Sequence, residues 1–162
     1  MTHKAKSAIF CFESYHYPYH FGGSKMNNIG LKHILPADWP RAKGYSHCVL
    51  ASGTKLISIA GQVASDIDGS AVSEGMSFAD QWAKALGKVA ILVREAGGEP
   101  TNITAMRIYV TDMAAYKAAG AELGPGWTAA LGKHFPAITL VEVKSLVDPN
   151  AMVEIEAEAL LA

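Results

Sequence analysis

Three glutamates alternate with apolar residues near the end of the chain and could carry proton-transfer chemistry. Glu154, Glu156 and Glu158 are separated by single residues in a segment that favours a β-strand, so their side chains should point to one face. A carboxylate in a partly closed cleft can move a proton to and from water. The alternative is a solvated strand edge, which the residues alone favour.

Tyr45 and His47 form a second candidate pair for contacting a ligand. A tyrosine offers both a ring wall and a hydroxyl, and a histidine can act as a general base near neutral pH. Strand alternation would place both side chains on the same face. The alternatives are an ordinary strand aromatic and a partly exposed or hydrogen-bonded histidine.

The histidines and cysteines do not predict a metal site. His16 and His20 have the spacing of a zinc-binding helix, but Pro18 between them disfavours that helix. Cys11 and Cys48 match no zinc spacing and form no disulfide framework, so we expect two reduced thiols. The sequence also has no glycine-rich nucleotide-binding motif. We therefore expect neither a metal nor a cofactor.

Hydrophobic periodicity predicts the elements that position these residues. Ser77 suits a helix N-cap, and apolar residues at helical spacing follow it until Gly97 and Gly98. A second helical region, residues 113–131, is expected to break or kink at Gly-Pro-Gly, residues 124–126. The predicted strands are residues 45–51, 56–60, 103–110, 137–143 and 152–160, with the first two joined as a hairpin.

The order of these elements predicts an α+β domain. Each helix lies between strands, so part of the sheet should be parallel, with the helices packed on one face. In the third strand we expect Ile103, Ala105, Arg107 and Tyr109 to share one face. The first forty or so residues show no clear helical or strand period.

Composition excludes several classes of protein. The chain has 162 residues, of which 50% are hydrophobic and 18% are charged, which suits one globular domain. A formal net charge of -1 without a dense basic run argues against a nucleic-acid partner. The apolar run at residues 8–12 is too short for a signal peptide or a membrane span. We therefore expect a cytoplasmic protein without a membrane partner.

Three motifs carry a resemblance to a known family. They are Pro-Ala-Ile-Thr-Leu-Val-Glu-Val at 136–143, Val-Glu-Ile-Glu-Ala at 153–157 and Ser-Ile-Ala-Gly-Gln at 58–62. Together they resemble the Rid family, also called YjgF/YER057c/UK114, many of whose members are labelled L-PSP endoribonucleases. The resemblance covers residues 43–162, which leaves residues 1–42 as an N-terminal extension. It implies a chorismate-mutase-like fold with two helices on one face of a mixed sheet, assembled as a trimeric barrel with ligand clefts between subunits.

The resemblance also implies roles for individual residues. Glu154 matches the glutamate that positions or activates the attacking water in archetypal enamine/imine deaminases. Tyr45 matches a tyrosine that lines the cleft, and Gln62 matches a motif glutamine that we interpret as structural. We expect Gly61, before it, to allow a close backbone approach or a strand irregularity. His47 occupies a position where common relatives have glutamine.

Four cleft positions depart from the family pattern, and all four changes remove polarity. Ile138 replaces an arginine that grips the substrate carboxylate, and isoleucine can neither donate a hydrogen bond nor carry charge. The others are Ala60 for serine or threonine, Leu140 for cysteine, and Gly124 near an asparagine. Either the substrate is less acidic, or another cation replaces the arginine, for which Arg107, Arg41 and Lys144 are candidates.

The sequence therefore predicts a homotrimer that hydrolytically deaminates a reactive imine, enamine or related carbonyl compound. Glu154 would be catalytic, and the ligand would contact Tyr45, His47, Ala60, Ile138 and Leu140. One alternative is a non-catalytic trimer that binds a small ligand or acts as a regulator. The other is an endoribonuclease or translation inhibitor, against which the absence of a basic stripe and of paired general bases counts.

Overall fold

A computed structural model describes residues 30–66 and 68–162. The predictions about Cys11, His16 and His20 lie outside these residues. A two-stranded sheet and a four-stranded sheet contain the strands, which are β1 Gly30–Ile34, β2 Cys48–Ser52, β3 Lys55–Gln62, β4 Ile103–Val110, β5 Ala137–Glu142 and β6 Val153–Leu161. The α-helices are α1 Phe78–Glu95, α2 Met113–Ala119 and α3 Leu123–Leu131.

The four-stranded sheet is mixed and has the strand order β3-β6-β4-β5. The pairs β3–β6 and β6–β4 are antiparallel, whereas β4 and β5 are parallel and are connected through α2 and α3. Helices α1 and α3 pack on one face of this sheet, and we call the opposite face the open face. The predicted α+β class, with helices on one face of a mixed sheet, is confirmed. No helix in the described ranges is long and apolar enough to cross a membrane.

The predicted hairpin between the second and third strands is wrong. Strand β2 pairs with β1, a strand that the sequence did not predict, and β3 pairs with β6. The connection lies against the end of β6, where Thr54 N–H donates to the Leu161 carbonyl at 2.8 Å. A Cβ on Gly53 would overlap that carbonyl, so the glycine permits the close approach. Strand β1 lies within the predicted extension, and the boundary at residue 43 stays a prediction.

Helix α1 is confirmed with its predicted start and stop. The Ser77 hydroxyl accepts a hydrogen bond from the Asp80 amide at 3.1 Å, which caps the first turn. The helix ends at Glu95, and Gly97 follows with a φ of 85°, a conformation that glycine adopts without steric cost. The buried stripe of α1 includes Trp82, Leu86, Val89 and Val93 and covers β6 and β3.

The second helical region divides at Gly120 and not at residues 124–126. A short 3-10 turn, Gly120–Glu122, separates α2 from α3, and Gly120 has a φ of 42°. Pro125 lies in the first turn of α3, where a backbone N–H would have no intrahelical acceptor. The proline is therefore compatible with the helix, and the predicted position of the break is wrong.

Strand β4 departs from the predicted alternation at its first residue. Arg107 and Tyr109 lie on the open face as expected, but Ile103 is fully buried in the core. A register shift between Ile103 and Ala105 against β6 turns Ile103 inward. In β6 the alternation is regular, with alanine, valine, isoleucine and leucine inside and the three glutamates on the open face. The shared face predicted for the glutamates is confirmed.

Two glycines of α3 give a matched test of helix packing. A Cβ on Gly126 would lie 2.9 Å from the Ala83 Cβ of α1, whereas a Cβ on Gly124 would meet nothing within 4 Å. Gly126→Ala should lower the free energy of unfolding by about 1–3 kcal/mol because the helices must separate. Gly124→Ala should raise it by about 0.5–1 kcal/mol. Urea denaturation measures both, and equal effects would contradict the packing argument.

Candidate functional site

The glutamate row runs along the centre of the open face. Arg107 on β4 faces Glu156 on β6, and its Nη1 lies 3.1 Å from Glu156 Oε1 and 3.3 Å from Glu158 Oε1. The two carboxylates raise the pKa of Arg107, first through the hydrogen bond to Glu156 and then through that to Glu158. One guanidinium therefore balances two of the three carboxylates.

Tyr109 adds a second contact to the same cluster. Its hydroxyl donates to Glu156 Oε1 at 3.1 Å. Partial burial raises the pKa of Tyr109, and the hydrogen bond to the Glu156 carboxylate raises it further. The phenol therefore stays protonated at neutral pH and remains a donor. Glu156 thus has two partners and is fixed in place.

Glu154 differs from the other two glutamates in its surroundings. A bulge in β3 between Ile59 and Gln62 brings Gly61 beside it, and a Cβ on Gly61 would lie 2.7 Å from Glu154 Cδ. The expected close approach at Gly61 is confirmed. Within residues 30–66 and 68–162, the Glu154 carboxylate takes part in no ion pair or hydrogen bond. It is half-buried and next to Tyr109 on β4.

Tyr45 and His47 lie together in a separate pocket of 460 Å³. Their ring centroids are 5.3 Å apart in an edge-to-face arrangement, but the strand alternation from which a shared face was predicted is absent here. Neither residue belongs to a strand, since β2 begins at Cys48. The His47 ring also contacts Trp39, and its Nε2 lies 3.2 Å from the Pro40 carbonyl oxygen.

Ser46 joins the two sides of this pocket. Its hydroxyl donates to the Phe135 carbonyl at 2.6 Å, and its backbone N–H donates to the Pro136 carbonyl at 2.9 Å. His33 Nδ1 lies 2.7 Å from the same hydroxyl oxygen, and it acts as the donor because the hydroxyl proton is already used. The pocket is therefore formed by β1, the segment before β2 and the segment before β5.

His134 supports this junction from inside. It is buried, and its Nε2 donates to the Ile103 carbonyl at 2.6 Å. Burial lowers the pKa of His134, the hydrogen bond to Ile103 partly opposes that effect, and nearby His33 adds to the lowering. His134 is not among the site residues that the sequence predicted. Its position directly before Phe-Pro and a predicted strand was the available signal.

The buried neutral His134 predicts a specific loss of stability in acid. In the unfolded chain His134 takes up a proton near its ordinary pKa of 6.5, whereas the folded protein takes it up only at lower pH. The unfolding free energy should therefore fall as the pH drops below about 6.5. His134→Gln keeps a donor for the Ile103 carbonyl. It should reduce the slope of the unfolding free energy against pH by at most the contribution of one bound proton. Urea denaturation from pH 5 to pH 8 measures both slopes, and identical slopes would contradict the assignment.

The remaining predicted site residues are divided between the two faces of the sheet. Ala60 is exposed on β3, and its carbonyl accepts a hydrogen bond from Gln62 Nε2 at 3.0 Å. Ile138 and Leu140 pair with Met106 and Ile108 of β4 and pack on the core, on the helix-covered face. Within one chain, the structure therefore does not bring Glu154 together with Ile138 and Leu140.

The candidate replacement cations also differ in their surroundings. Arg107 is engaged by Glu156 and Glu158, as described above. Lys144 is exposed after β5 and does not line the pocket. Arg41 lines the pocket with Tyr45 and His47. Lys133 also lines it, although the sequence did not predict a role for this residue.

Comparisons with known proteins agree with this architecture. A Rid-family protein of unknown function from Yersinia pestis has 27% sequence identity and a TM-score of 0.72 and covers 84% of this chain and 100% of its own. A YjgF/YER057c/UK114 family member from Mycobacterium tuberculosis has 33% identity and a TM-score of 0.53, covering 73% and 87%. A Pseudomonas aeruginosa protein of unknown function has 29% identity and a TM-score of 0.53, covering 82% and 94%.

The sequence pattern of the family described as Endoribonuclease L-PSP matches residues 37–161, which is nearly all of the described chain. No curated protein matches the chain significantly. The chain therefore belongs to the Endoribonuclease L-PSP family, the group that its structural relatives call Rid or YjgF/YER057c/UK114.

Proposed function

We propose that this protein hydrolyses a small reactive imine or enamine, or a related carbonyl compound, and releases ammonia. The observation that carries this proposal is the isolation of the Glu154 carboxylate from the Arg107 cluster on the open face. A half-buried carboxylate that is not neutralised by a cation can accept a proton from water. Glu156 and Glu158 are less suited because Arg107 holds both of them.

The proposed reaction adds water to an imine and yields a carbonyl compound and ammonia. Glu154 accepts a proton from water while the water oxygen bonds to the imine carbon, and the C=N π electrons move to nitrogen. Protonated Glu154 then gives its proton to that nitrogen. The hydroxyl proton then passes to the nitrogen through the carboxylate or solvent, the C–N bond breaks as the hydroxyl oxygen forms C=O, and ammonia leaves. An enamine enters the same route after protonation at carbon.

The same proposal includes a homotrimer with clefts between subunits. Glu154 and Ile138 lie on opposite faces of one sheet, so a shared cleft requires two chains. The open face also carries exposed apolar side chains, with Leu56 65% and Val141 40% exposed. Covering such side chains with a second copy of the chain removes apolar surface from water and stabilises the assembly. Light scattering should then give three times the chain mass of 17.2 kDa.

Ammonia release from a panel of imines tests the proposed activity. An amino-acid oxidase would generate the imines in place, from amino acids with acidic, small and hydrophobic side chains. We expect acceleration over the uncatalysed rate, with hydrophobic imines preferred because Ile138 and Leu140 are apolar. No acceleration for any imine by a verified trimer would refute the deaminase proposal.

A non-catalytic ligand-binding trimer is the second candidate. It is favoured by one observation, namely that Ile138 and Leu140 pack on the core and offer no polar group. It predicts ligand binding without turnover in the same assay.

RNA cleavage is a third candidate because of the family's description. The net charge and the charges on the open face do not favour it. The net charge is -1, and the open face has three glutamates beside Arg107. A protein that binds phosphates through basic side chains loses affinity steeply as salt rises. Binding of single-stranded RNA at two salt concentrations, with the expected absence of binding at both, separates this candidate from the deaminase.

A further inference from the structure

Arg107 pairs with the glutamate row of the open face and is not free to hold a substrate. Its guanidinium donates to Glu156 at 3.1 Å and to Glu158 at 3.3 and 3.4 Å, so two carboxylates draw on one cation. In residues 30–66 and 68–162, no other basic side chain forms an ion pair with the row. The row therefore has three carboxylates but one guanidinium to balance them.

Glu154 lies next to this cluster without belonging to it. Residues on one face of a strand follow one another at about 7 Å, so the side chains of Glu154 and Glu156 are direct neighbours on the open face. Each of two neighbouring carboxylates makes ionisation of the other less favourable, unless a cation compensates one of them. A glutamate that already holds a proton cannot accept one from water. The state of Glu156 therefore matters for any base chemistry at Glu154.

The compensation is concentrated on Glu156. Arg107 Nη1 and the Tyr109 hydroxyl both donate to Glu156 Oε1, each at 3.1 Å. Tyr109 is also the cross-strand partner of Glu154, so its ring lies beside Glu154 while its hydroxyl contacts the next glutamate along the row. The two donors thus hold the Glu156 carboxylate at Arg107 and satisfy its charge there.

The other strands bring no further titratable group to Glu154 in the described ranges. On β3 the nearest residues are Gly61 and Gln62, and the Gln62 amide bonds to the backbone of its own strand. On β5 the residue paired with Tyr109 is Val141. The helices pack on the opposite face of the sheet. The protonation of Glu154 therefore depends on its neighbours on β4 and β6.

We propose that Arg107 and Tyr109 are positioning residues for the base Glu154. They hold Glu156 and balance its charge, so that the two neighbouring glutamates do not share a proton and Glu154 stays able to accept one from water in mild acid. This inference rests on the proposed function, in which Glu154 is the general base. It gives Arg107 a role different from that of a substrate-holding cation, for which the sequence made it a candidate.

The pH dependence of ammonia release tests the proposal through Arg107→Gln. Without the cation, Glu156 and Glu158 are uncompensated beside Glu154, and protonated Glu154 becomes more abundant in mild acid. We expect the ratio of kcat/KM at pH 5 to kcat/KM at pH 8 to fall by about two- to fivefold, because the cluster is partly exposed. At pH 8, kcat/KM should change less than about threefold. A merely structural role would lower both values equally.

Three further variants assign the effect. Arg107→Lys keeps the positive charge and should keep the wild-type ratio. Tyr109→Phe removes only the hydroxyl and should lower the ratio, by less than Arg107→Gln does. The matched control is Arg94→Gln, which removes the same charge from the ion pair with Glu99 at the end of α1 and should leave the ratio unchanged. Circular dichroism at pH 5 verifies that every variant is folded.

Carboxyl-carbon NMR of protein labelled at glutamate tests the proposal without ammonia release. Glu154→Gln and Glu156→Gln assign the two signals. In the wild type we expect each carbon to respond to pH in one step. In Arg107→Gln each should respond in two steps, because interacting carboxyl groups take up protons as a pair.

Four results would overturn the proposal. They are an unchanged ratio in Arg107→Gln or in Tyr109→Phe, an equal fall in Arg94→Gln, a fall in Arg107→Lys as large as that in Arg107→Gln, and one-step titration of both carbons in Arg107→Gln. A wild-type protein that releases no ammonia would refute the deaminase. Two-step titration confined to Arg107→Gln would still support the role of Arg107 in keeping the two glutamates apart.

Discussion

Replacing Glu154 with glutamine is expected to reduce ammonia release by about 10²- to 10⁴-fold, the usual effect of losing a general base. The substitution keeps the size of the side chain and removes only its ability to accept a proton as a carboxylate. Glu154 lies beside Gly61 and has no charged partner in the described part of the chain. The loss should therefore come from the chemical step and not from a broken ion pair.

Glu158→Gln is the matched control for this substitution. Glu158 lies on the same strand and the same face, but its carboxylate pairs with Arg107. Its replacement should change ammonia release less than about threefold and stability by less than about 1 kcal/mol, since the pair is 40–46% exposed. Equal losses in the two variants would mean that the row acts only through its total charge. If the Glu154→Gln variant remained active, another group would have to be the general base.

The parts of the fold that the sequence predicted are those fixed by local pattern. Helix α1 has both a capping serine and a long buried stripe, and β6 has nine residues of regular alternation. In such segments one register alone buries the apolar side chains, so the sequence determines the face of each residue. The prediction for Gly61 succeeded for a related reason, since only a residue without a Cβ allows Glu154 to approach.

The pairing of β2 with β1 could not be predicted in the same way. Residues 45–60 contain two apolar runs around a glycine, which is also the pattern of a hairpin. The choice between partners depends on β6, which is about a hundred residues further along and accepts the hydrogen bond from Thr54. Strand β1 is short and mostly exposed, so its alternation is weak.

The pocket was missed because it is assembled from distant segments. Ser46 and Phe135 are 89 positions apart in the chain, and their hydrogen bond brings Arg41 and Lys133 to the same cavity. No local spacing contains that information. The family resemblance predicted that Ile138 and Leu140 contact the ligand, but the register with β4 turns both side chains toward the core. Ile138 and Leu140 can therefore share a cleft with Glu154 only if that glutamate belongs to a neighbouring subunit.

Gln81→Met is expected to lower the free energy of unfolding by about 2–4 kcal/mol, although it keeps the volume and removes no charge. Gln81 is 1% exposed, and its amide nitrogen donates to the Asn150 carbonyl at 3.0 Å and to the Met76 carbonyl at 3.3 Å. Its amide oxygen accepts from the Met152 N–H at 2.8 Å. Methionine would leave these buried backbone groups without their partner, and each such group costs about 1–3 kcal/mol.

Gln62→Met is the control for the chemical change, since Gln62 forms only a local hydrogen bond to the Ala60 carbonyl among the described residues. It should cost less than about 1 kcal/mol. The contrast has a functional consequence, because Gln81 fixes Met152 and Glu154 follows only two residues later on β6. Gln81→Met should therefore lower ammonia release at temperatures where the protein remains folded, whereas Gln62→Met should not. Thermal unfolding and ammonia release, measured on the same preparations, test both effects, and equal stability of the two variants would contradict this role of Gln81.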